Sequence, residues 1–453
     1  MTGKQPKRHA ESRDVLRSAS HAVTLFIASI LIFAVLASCG GEGDTGTAAG
    51  SSGPAAEPET SATADEGALI LGGGIPFTVI RGDKAPQAVV KAASAIYTEL
   101  STSLNTGDVS IKEDFVLDQR GSDSVVTGGY EIVIGDTNRA GTKETIGMIE
   151  GQGCAMRIVG KTLVITGTDV RTTIAALNRF KKEILENPDR TSDGILRILP
   201  SDCFIVNNMM PLQYSEILSG DLKYTVDLTE VIHCAPVGDF KVAQGAATDG
   251  KFAYFALRQS GDGNAVICKY DLATGERVAV SDPIYCGHAN DLTYDSAKGL
   301  LYIAHGQSEG TILTLVDSGT LQVTKQTQGI PKGSGAITYS SSHDIIAISQ
   351  GGTTLHFLRP DFTLIRSFSR TKPDYTAQGM GSDEDFIYFP MSGSADNILD
   401  VYDWDGNPVG IITIPLKLES ESMFWFGGNY YVNFYESRNG AKLYRLEFIE
   451  VYE

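Results

Sequence analysis

A five-fold repeat in the C-terminal half limits the fold more than any other feature. Five short segments align: Ala243-Gln244-Gly245-Ala246, Ala289-Asn290-Asp291-Leu292, Ser334-Gly335-Ala336-Ile337, Ala377-Gln378-Gly379-Met380 and Ser420-Glu421-Ser422-Met423. Each opens on a small residue and ends on an apolar one, and successive starts lie 46, 45, 43 and 43 residues apart. A β-rich run follows each start: Phe252 to Phe255, Leu300 to Ile303, Ile345 to Ile348, Phe386 to Phe389 and Tyr430 to Phe434. A third run follows in turn: Val266 to Tyr270, Ile312 to Val316, Leu355 to Leu358, Ile398 to Tyr402 and Leu443 to Leu446. Turn strings such as Asp271-Leu272-Ala273-Thr274-Gly275 and Asp403-Trp404-Asp405-Gly406 then lead to a fourth strand. Four strands in about 40 to 45 residues is the period of a propeller blade.

Counting strands sharpens the expectation. The fifth repeat has three strands before Glu453. An open blade leaves an unpaired sheet edge, which is a liability. Tyr224 to Ile232, with Val226, Leu228 and Ile232 on one face, is placed to supply the missing strand from before the first repeat. Residues 224–453 are therefore expected to close into a five-bladed β-propeller. A β-sandwich is the alternative, but it does not explain so regular a repeat.

Strands and helices alternate earlier in the chain. Phe77 to Ile80 reads as a strand, and Pro86 to Ser103 as a helix with Val89, Ala93, Ile96 and Leu100 at helical spacing. Glu131 to Gly135 is a short buried strand, and Met156 to Val159 with Thr162 to Thr166 is a hairpin turned at Gly160-Lys161. Thr168 or Asp169 caps a helix with the stripe Val170, Ile174, Leu177, Phe180 and Ile184, which Asn187-Pro188 stops. Ile195 to Leu199 is a last strand. The expectation for 68–205 is a small α/β sandwich with helices on one face of the sheet, joined to the propeller by a linker over 206–223. The string from Glu131 to Arg139, the Gly160 hairpin and the 170s helix together resemble the non-catalytic domain preceding the barrel of glycoside hydrolase families 20 and 67. That resemblance implies a glycan-related setting and no catalytic residue here. Asp136, Asn138 and Arg139 read as strand-end turn residues, with a ligand loop as the alternative.

The first 38 residues read as a targeting segment. Lys4, Lys7, Arg8, Arg13 and Arg17 precede an uncharged run from Ala22 to Leu36. That run is short of the roughly 20 residues that span a bilayer and suits the h-region of a secretory signal. Leu36-Ala37-Ser38-Cys39 resembles the lipobox of bacterial lipoproteins. The resemblance implies cleavage before Cys39, acylation of its thiol and anchorage on the extracytoplasmic face of the cell membrane; the alternative is an uncleaved signal anchor. Residues 39–67 are mostly Gly, Ser, Thr, Ala and Glu. They lack the apolar surface to fold and read as a flexible tether.

Charge narrows the partners. The leader carries five Lys/Arg and two Asp/Glu, so its removal takes the net charge from −18 to −21. Such an acidic chain argues against nucleic acid and against direct binding to anionic lipid. Beyond Cys39 the cysteines are Cys154, Cys203, Cys234, Cys268 and Cys286, with no CxxC or Cys/His metal spacing. They read as small buried hydrophobes or as one or two disulfides of undefined pairing. No cofactor or metal motif is present.

In a propeller the first strand of each blade lines the central channel. The aligned second positions Gln244, Asn290, Gly335, Gln378 and Glu421 then approach one another at one end, joined by Asp291 and the upstream His288. Amides and carboxylates there suit a hydroxyl-rich ligand; the alternative is that they bond strand ends and trapped water. An enzymatic reading takes Asp291 and Glu421 as acid and base, with His288 beside them, although no nucleophile motif is present. Gln244-Gly245, Gly287-His288 and Tyr270-Asp271 resemble helveticin-like bacteriocins and the phage propellers labelled teichoic acid biosynthesis protein C. That resemblance implies a cell-envelope polymer or carbohydrate as target. The expected function is a surface-tethered binding or scaffold module for an envelope glycan or protein partner. A glycan-degrading hydrolase or lyase is the alternative.

Overall fold

The structure is a computed structural model. It describes residues 67–104, 109–114, 130–220, 222–261, 263–306, 309–332, 334–350, 353–371 and 373–452. The leader, Cys39 and the tether up to residue 66 lie outside the described residues.

The chain is mainly β, in many small sheets. Five antiparallel sheets follow one another through the C-terminal half, each of four strands and two of them with one further short strand. The first is Val242–Thr248, Phe252–Arg258, Gly263–Asp271 and Arg277–Val280. The last takes Glu419–Phe426, Asn429–Tyr435 and Ala441–Glu450 from the end of the chain. Its fourth strand, Tyr224–Cys234, comes from before the first sheet and pairs antiparallel with Ala441–Glu450, Tyr224 opposite Glu450 and Cys234 opposite Ala441. The first strands touch in cyclic order: Val242–Thr248 with Asp291–Asp295, then Ser334–Ser340, Gly381–Ser382, Glu419–Phe426 and back to Val242–Thr248.

Two glycines permit this approach. A Cβ on Gly245 would stand 2.3 Å from the Leu292 nitrogen, and one on Gly379 2.2 Å from the Glu421 carbonyl oxygen. Apolar layers fill the spaces between sheets. Tyr302, Leu313, Ile337, Ile346, Ile348 and Leu358 form one such layer. A recurrent staple fixes hairpins between first and second strands. Asp249 accepts the Phe252 N–H at 2.7 Å and the Tyr254 hydroxyl at 2.6 Å. Asp383 does the same for Phe386 and Tyr388, and Asp295 holds the Tyr302 hydroxyl.

The N-terminal region is a six-stranded sheet with four parallel strands in the order Val109–Glu113, Phe77–Arg81, Tyr130–Ile134, Thr162–Gly167. Cys154–Val159 and Phe204–Val206 extend it antiparallel. Helix Gln87–Ser103 buries Val89, Ala92, Ala93, Ile96 and Leu100, one face of a 3.6-residue period. Helix Val170–Phe180 starts at Asp169, whose Oδ1 accepts the Thr172 N–H at 2.8 Å while Thr172 Oγ1 accepts the Asp169 N–H at 3.1 Å.

One expectation needs correction here. The sheet is not covered on one face alone: Ile132, Val133 and Ile134 are all buried, as are Leu163, Val164 and Ile165. Successive strand residues point to opposite faces, so both faces are packed. A third helix, Ala140–Ile146, lies against Cys154–Val159 and Thr162–Gly167, and its buried residues are Thr142 and Thr145. Threonines carry no apolar stripe, so periodicity passes over it. The segment 206–223, expected as a linker, holds helix Tyr214–Gly220, whose Tyr214 and Ile217 pack with Tyr388, Tyr430 and Phe448.

The last strand also reaches the N-terminal core. Ile449 is buried among the apolar residues of the six-stranded sheet and its helices, and the Tyr452 hydroxyl donates to Glu99 at 3.4 Å. Among the described residues no helix is long and apolar enough to cross a membrane.

Candidate functional site

The site is built where the five first strands converge. Asp291 is fully buried there. Its Oδ1 accepts the Leu292 N–H at 2.8 Å, and its Oδ2 accepts those of Ile337 and Met380, both at 2.9 Å. Burial pushes its carboxyl well above the usual range, and the three N–H donors oppose that. Ser422 Oγ takes the Ala246 N–H at 2.7 Å. One side chain thus ties the second sheet to the third and fourth, and another ties the fifth to the first.

Around this tie the first strands leave two cavities. Residues on one side of the aligned third positions line the first cavity, of about 510 Å³. Gln244, His288, Gln378 and Glu421 all border it, with Lys241, Arg258, Glu419, Tyr435 and Arg438. A second cavity of about 310 Å³ opens among residues on the other side, including Thr248, Tyr294, Tyr339, Ser382 and Trp425. Among the described residues no group of three His, Cys, Asp or Glu is placed to hold a metal ion.

Four of the six sequence candidates therefore meet in one cavity, and two do not border it. Asn290 spends its amide on structure, Nδ2 donating to the Gly335 carbonyl at 2.7 Å and the Gln378 carbonyl at 2.9 Å. Asp291 is sealed by main-chain donors, so the reading that makes it an acid or base for a ligand does not fit its position. Trp425 borders the other cavity, its Nε1 donating to Gln213 at 2.9 Å. Tyr375 donates to Asp396 at 2.9 Å. In the N-terminal region, Asn138 hydrogen-bonds Asp114, Arg139 pairs with the buried Glu131 at 3.2 Å, and Asp136 and Asn138 border a separate cavity of about 470 Å³.

The chemistry of the first cavity centres on Glu421. Only 4 % of it is exposed, and it borders the cavity. Burial, then the nearby Glu419 carboxylate, push its pKa well above the usual range, while Arg258 opposes the shift. Arg258 spends Nη1 on the carbonyls of Gln259 and Gly261, at 3.1 Å each. Its buried Nε has no partner. Gln378 Nε2 donates to Glu419, and Gln244 Nε2 donates to the Ala243 carbonyl, so each amide binds the frame through its nitrogen and has an oxygen that can accept. Lys241, Arg438 and His288 complete a rim of donors.

Sequence reasoning missed Lys241, Arg258, Glu419, Tyr435 and Arg438. Glu419 stands one residue before the aligned Ser420, so extending the alignment outward by one position exposes it. Arg258 ends a second strand, and only the closed arrangement brings it to Glu421.

No family model matches this sequence, and no curated protein matches it. Solved structures similar to part of the chain include glutaminyl cyclase of Myxococcus xanthus, 14% identical over 51% of this chain and 99% of that one, with a TM-score of 0.39. Hydrazine synthase of Kuenenia stuttgartiensis is 15% identical over 46% of this chain and 58% of that one, TM-score 0.30. A nidogen/laminin complex chain is 13% identical over 43% of this chain and 73% of that one, TM-score 0.31. At these scores the likenesses carry no argument about what this chain does.

Proposed function

We propose that this chain is a lipid-anchored, extracytoplasmic binding protein whose five-bladed β-propeller holds an envelope or extracellular glycan in its charged channel mouth. The observation that carries the reading is the buried, unpartnered Arg258 Nε, on a residue that borders the cavity beside the mostly buried Glu421. Buried polar groups are ordinarily satisfied, and leaving one unpaired costs about 1–3 kcal/mol. A ligand offering hydroxyls meets the acceptors of Gln244, Gln378 and Glu421 at once, and the donors Arg258, Lys241 and Arg438 suit one that also carries anionic groups. The acyl anchor on Cys39 and the tether to residue 67 place such a mouth outside the membrane. An envelope protein presenting the same groups fits the cavity too.

The test is a glycan array probed with the full chain in detergent micelles. Neutral polysaccharides and phosphodiester-linked polyol polymers form its two panels. Gln244→Ala/Gln378→Ala is expected to weaken binding about tenfold or more. Binding unaltered in that variant, and in Arg258→Ala, rules out this mouth. Intact-mass measurement of the membrane-extracted protein reads the anchor directly: a chain that retains residues 1–38 and no acyl mass overturns it.

A second reading, glycan hydrolysis, has one observation behind it. Burial raises the Glu421 carboxyl above the usual range, and the Glu419 carboxyl shares the same cavity, so two carboxyls border one space. Polysaccharide turnover that survives Glu421→Gln and Glu419→Gln removes this reading.

A further inference from the structure

We propose that Cys234 and Cys268 form a disulfide that latches the strand closing the fifth sheet to the first sheet. Cys234 ends the strand Tyr224–Cys234, which is the only part of the fifth sheet drawn from before the first. Cys268 lies in the third strand of the first sheet, opposite Phe255. Both are fully buried, and both belong to the apolar layer between the two sheets, with Ile232, Ala243, Phe255 and Leu443. Two further contacts bring these segments together. Arg277 Nη1 donates to the Ala235 carbonyl at 3.4 Å, and a Cβ on Gly275 would stand 3.2 Å from the Val231 carbonyl oxygen.

Within this layer the two thiols are direct neighbours, with Tyr270 and Arg277 beside them. The Cys234 thiol and the Arg277 guanidinium favour the Cys268 thiolate, whereas burial pushes Cys234 up. The remaining described cysteines sit elsewhere. Cys154 lies in the N-terminal sheet beside Arg179 and Arg171, Cys203 follows Asp202 before the edge strand of that sheet, and Cys286 donates to the Ile284 carbonyl at 3.3 Å. A latch here encloses the first two strands of the first sheet. It joins the two ends of the repeat, where residues 235–241 carry the chain from the closing strand into the first sheet.

The chemistry is thiol–disulfide exchange during folding, before the layer closes. The Cys268 thiolate attacks a sulfur of a glutathione-type disulfide and expels one thiolate. The Cys234 thiolate then attacks the Cys268 sulfur of the mixed disulfide and expels the second. Two protein S–H bonds and the reagent's S–S bond break, while the protein S–S bond and two reagent S–H bonds form. The two protons pass through solvent to the two expelled thiolates, and the two electrons lost by the cysteines reduce the reagent to two thiols. In cells the proposal rests on the extracytoplasmic reading, since cytosolic thiols stay reduced.

The test refolds the full chain, denatured and reduced, in detergent with oxidised and reduced glutathione, then maps non-reduced peptides after alkylation. The expected result is a linked Cys234–Cys268 peptide pair. Reduction is expected to lower Tm by roughly 5–10 °C, a shift lost in Cys234→Ala/Cys268→Ala. If that variant fails to fold, the peptide map of the unmodified chain still decides. Cys234 and Cys268 both recovered as alkylated thiols after glutathione refolding overturns the latch. Chain alkylated in intact cells before lysis separates the two readings. A pair linked in vitro but free in cells supports the latch and overturns the extracytoplasmic placement.

Discussion

Asp291 and Met380 stand 89 residues apart in the chain, and the carboxylate of the first accepts the main-chain N–H of the second at 2.9 Å. The same oxygen accepts from Ile337, 46 residues away. One side chain therefore takes the place of the lateral hydrogen bonds that neighbouring first strands cannot make with one another where they converge.

Removing it should be costly. Asp291→Ala orphans three buried N–H donors, at about 1–3 kcal/mol each, so a loss of roughly 3–9 kcal/mol is expected. Urea unfolding measures it. Loss of ligand binding in Asp291→Ala with stability unchanged would instead make Asp291 a ligand group.

Glu421 makes stability depend on pH in a defined sense. Its folded pKa is raised above the ordinary 4.5. Below that value both folded and unfolded chains hold the proton. As pH rises past it the unfolded chain releases its proton first, so this group's contribution to stability falls, by up to about 1.4 kcal/mol per pH unit until the folded pKa is reached. Glu421→Gln removes the slope. Comparing unfolding free energies of the two proteins at about pH 5 and about pH 8 tests this: a difference between them that does not grow with pH contradicts the assignment.

Arg370 and Asp400 form a buried pair at 2.7 Å, with side chains 1% and 7% exposed, and the guanidinium lies 3.7 Å from the Phe389 ring centroid. Breaking such a pair from one side leaves a buried charge, at about 3–5 kcal/mol. Arg370→Met should cost that much. The double change Arg370→Met/Asp400→Leu should recover a large part of it, as a double-mutant cycle would read.

Ile449 belongs by pairing to the fifth sheet and by packing to the N-terminal core. Ile449→Ala should cost about 2–4 kcal/mol. Hydrogen exchange should show the loss in helices Gln87–Ser103 and Val170–Phe180 as well as in the sheet. Faster exchange confined to the sheet would show that the two regions open independently.

Much of the local structure was legible. The spacing of the aligned quartets marks the first strands, and apolar alternation marks the second and third. Asp169 announces its helix because an N-cap is a local signal. Helix Ala140–Ile146 was not legible, since its buried face is threonine. The candidate site was legible in part. Gln244, His288, Gln378 and Glu421 were found because they share a position or neighbour one. Arg258 was not found, because nothing local to Leu257-Arg258-Gln259 tells of a carboxyl on a strand more than 160 positions further on.

Sequence by itself determined the period, the strands within it and the polar residues that recur at one level of the repeat. These are local matters: alternation, turn chemistry and side-chain size act over a few residues. Tertiary structure alone decided what those polar groups do. Asp291 and Glu421 are both buried carboxyls near the same convergence of strands. One is surrounded by N–H groups from three sheets and has become part of the frame. The other borders a cavity, with Glu419 and Arg258 as its charged neighbours. That difference lies in which main-chain groups of distant repeats point at each carboxyl, and it exists only once the five sheets are brought together.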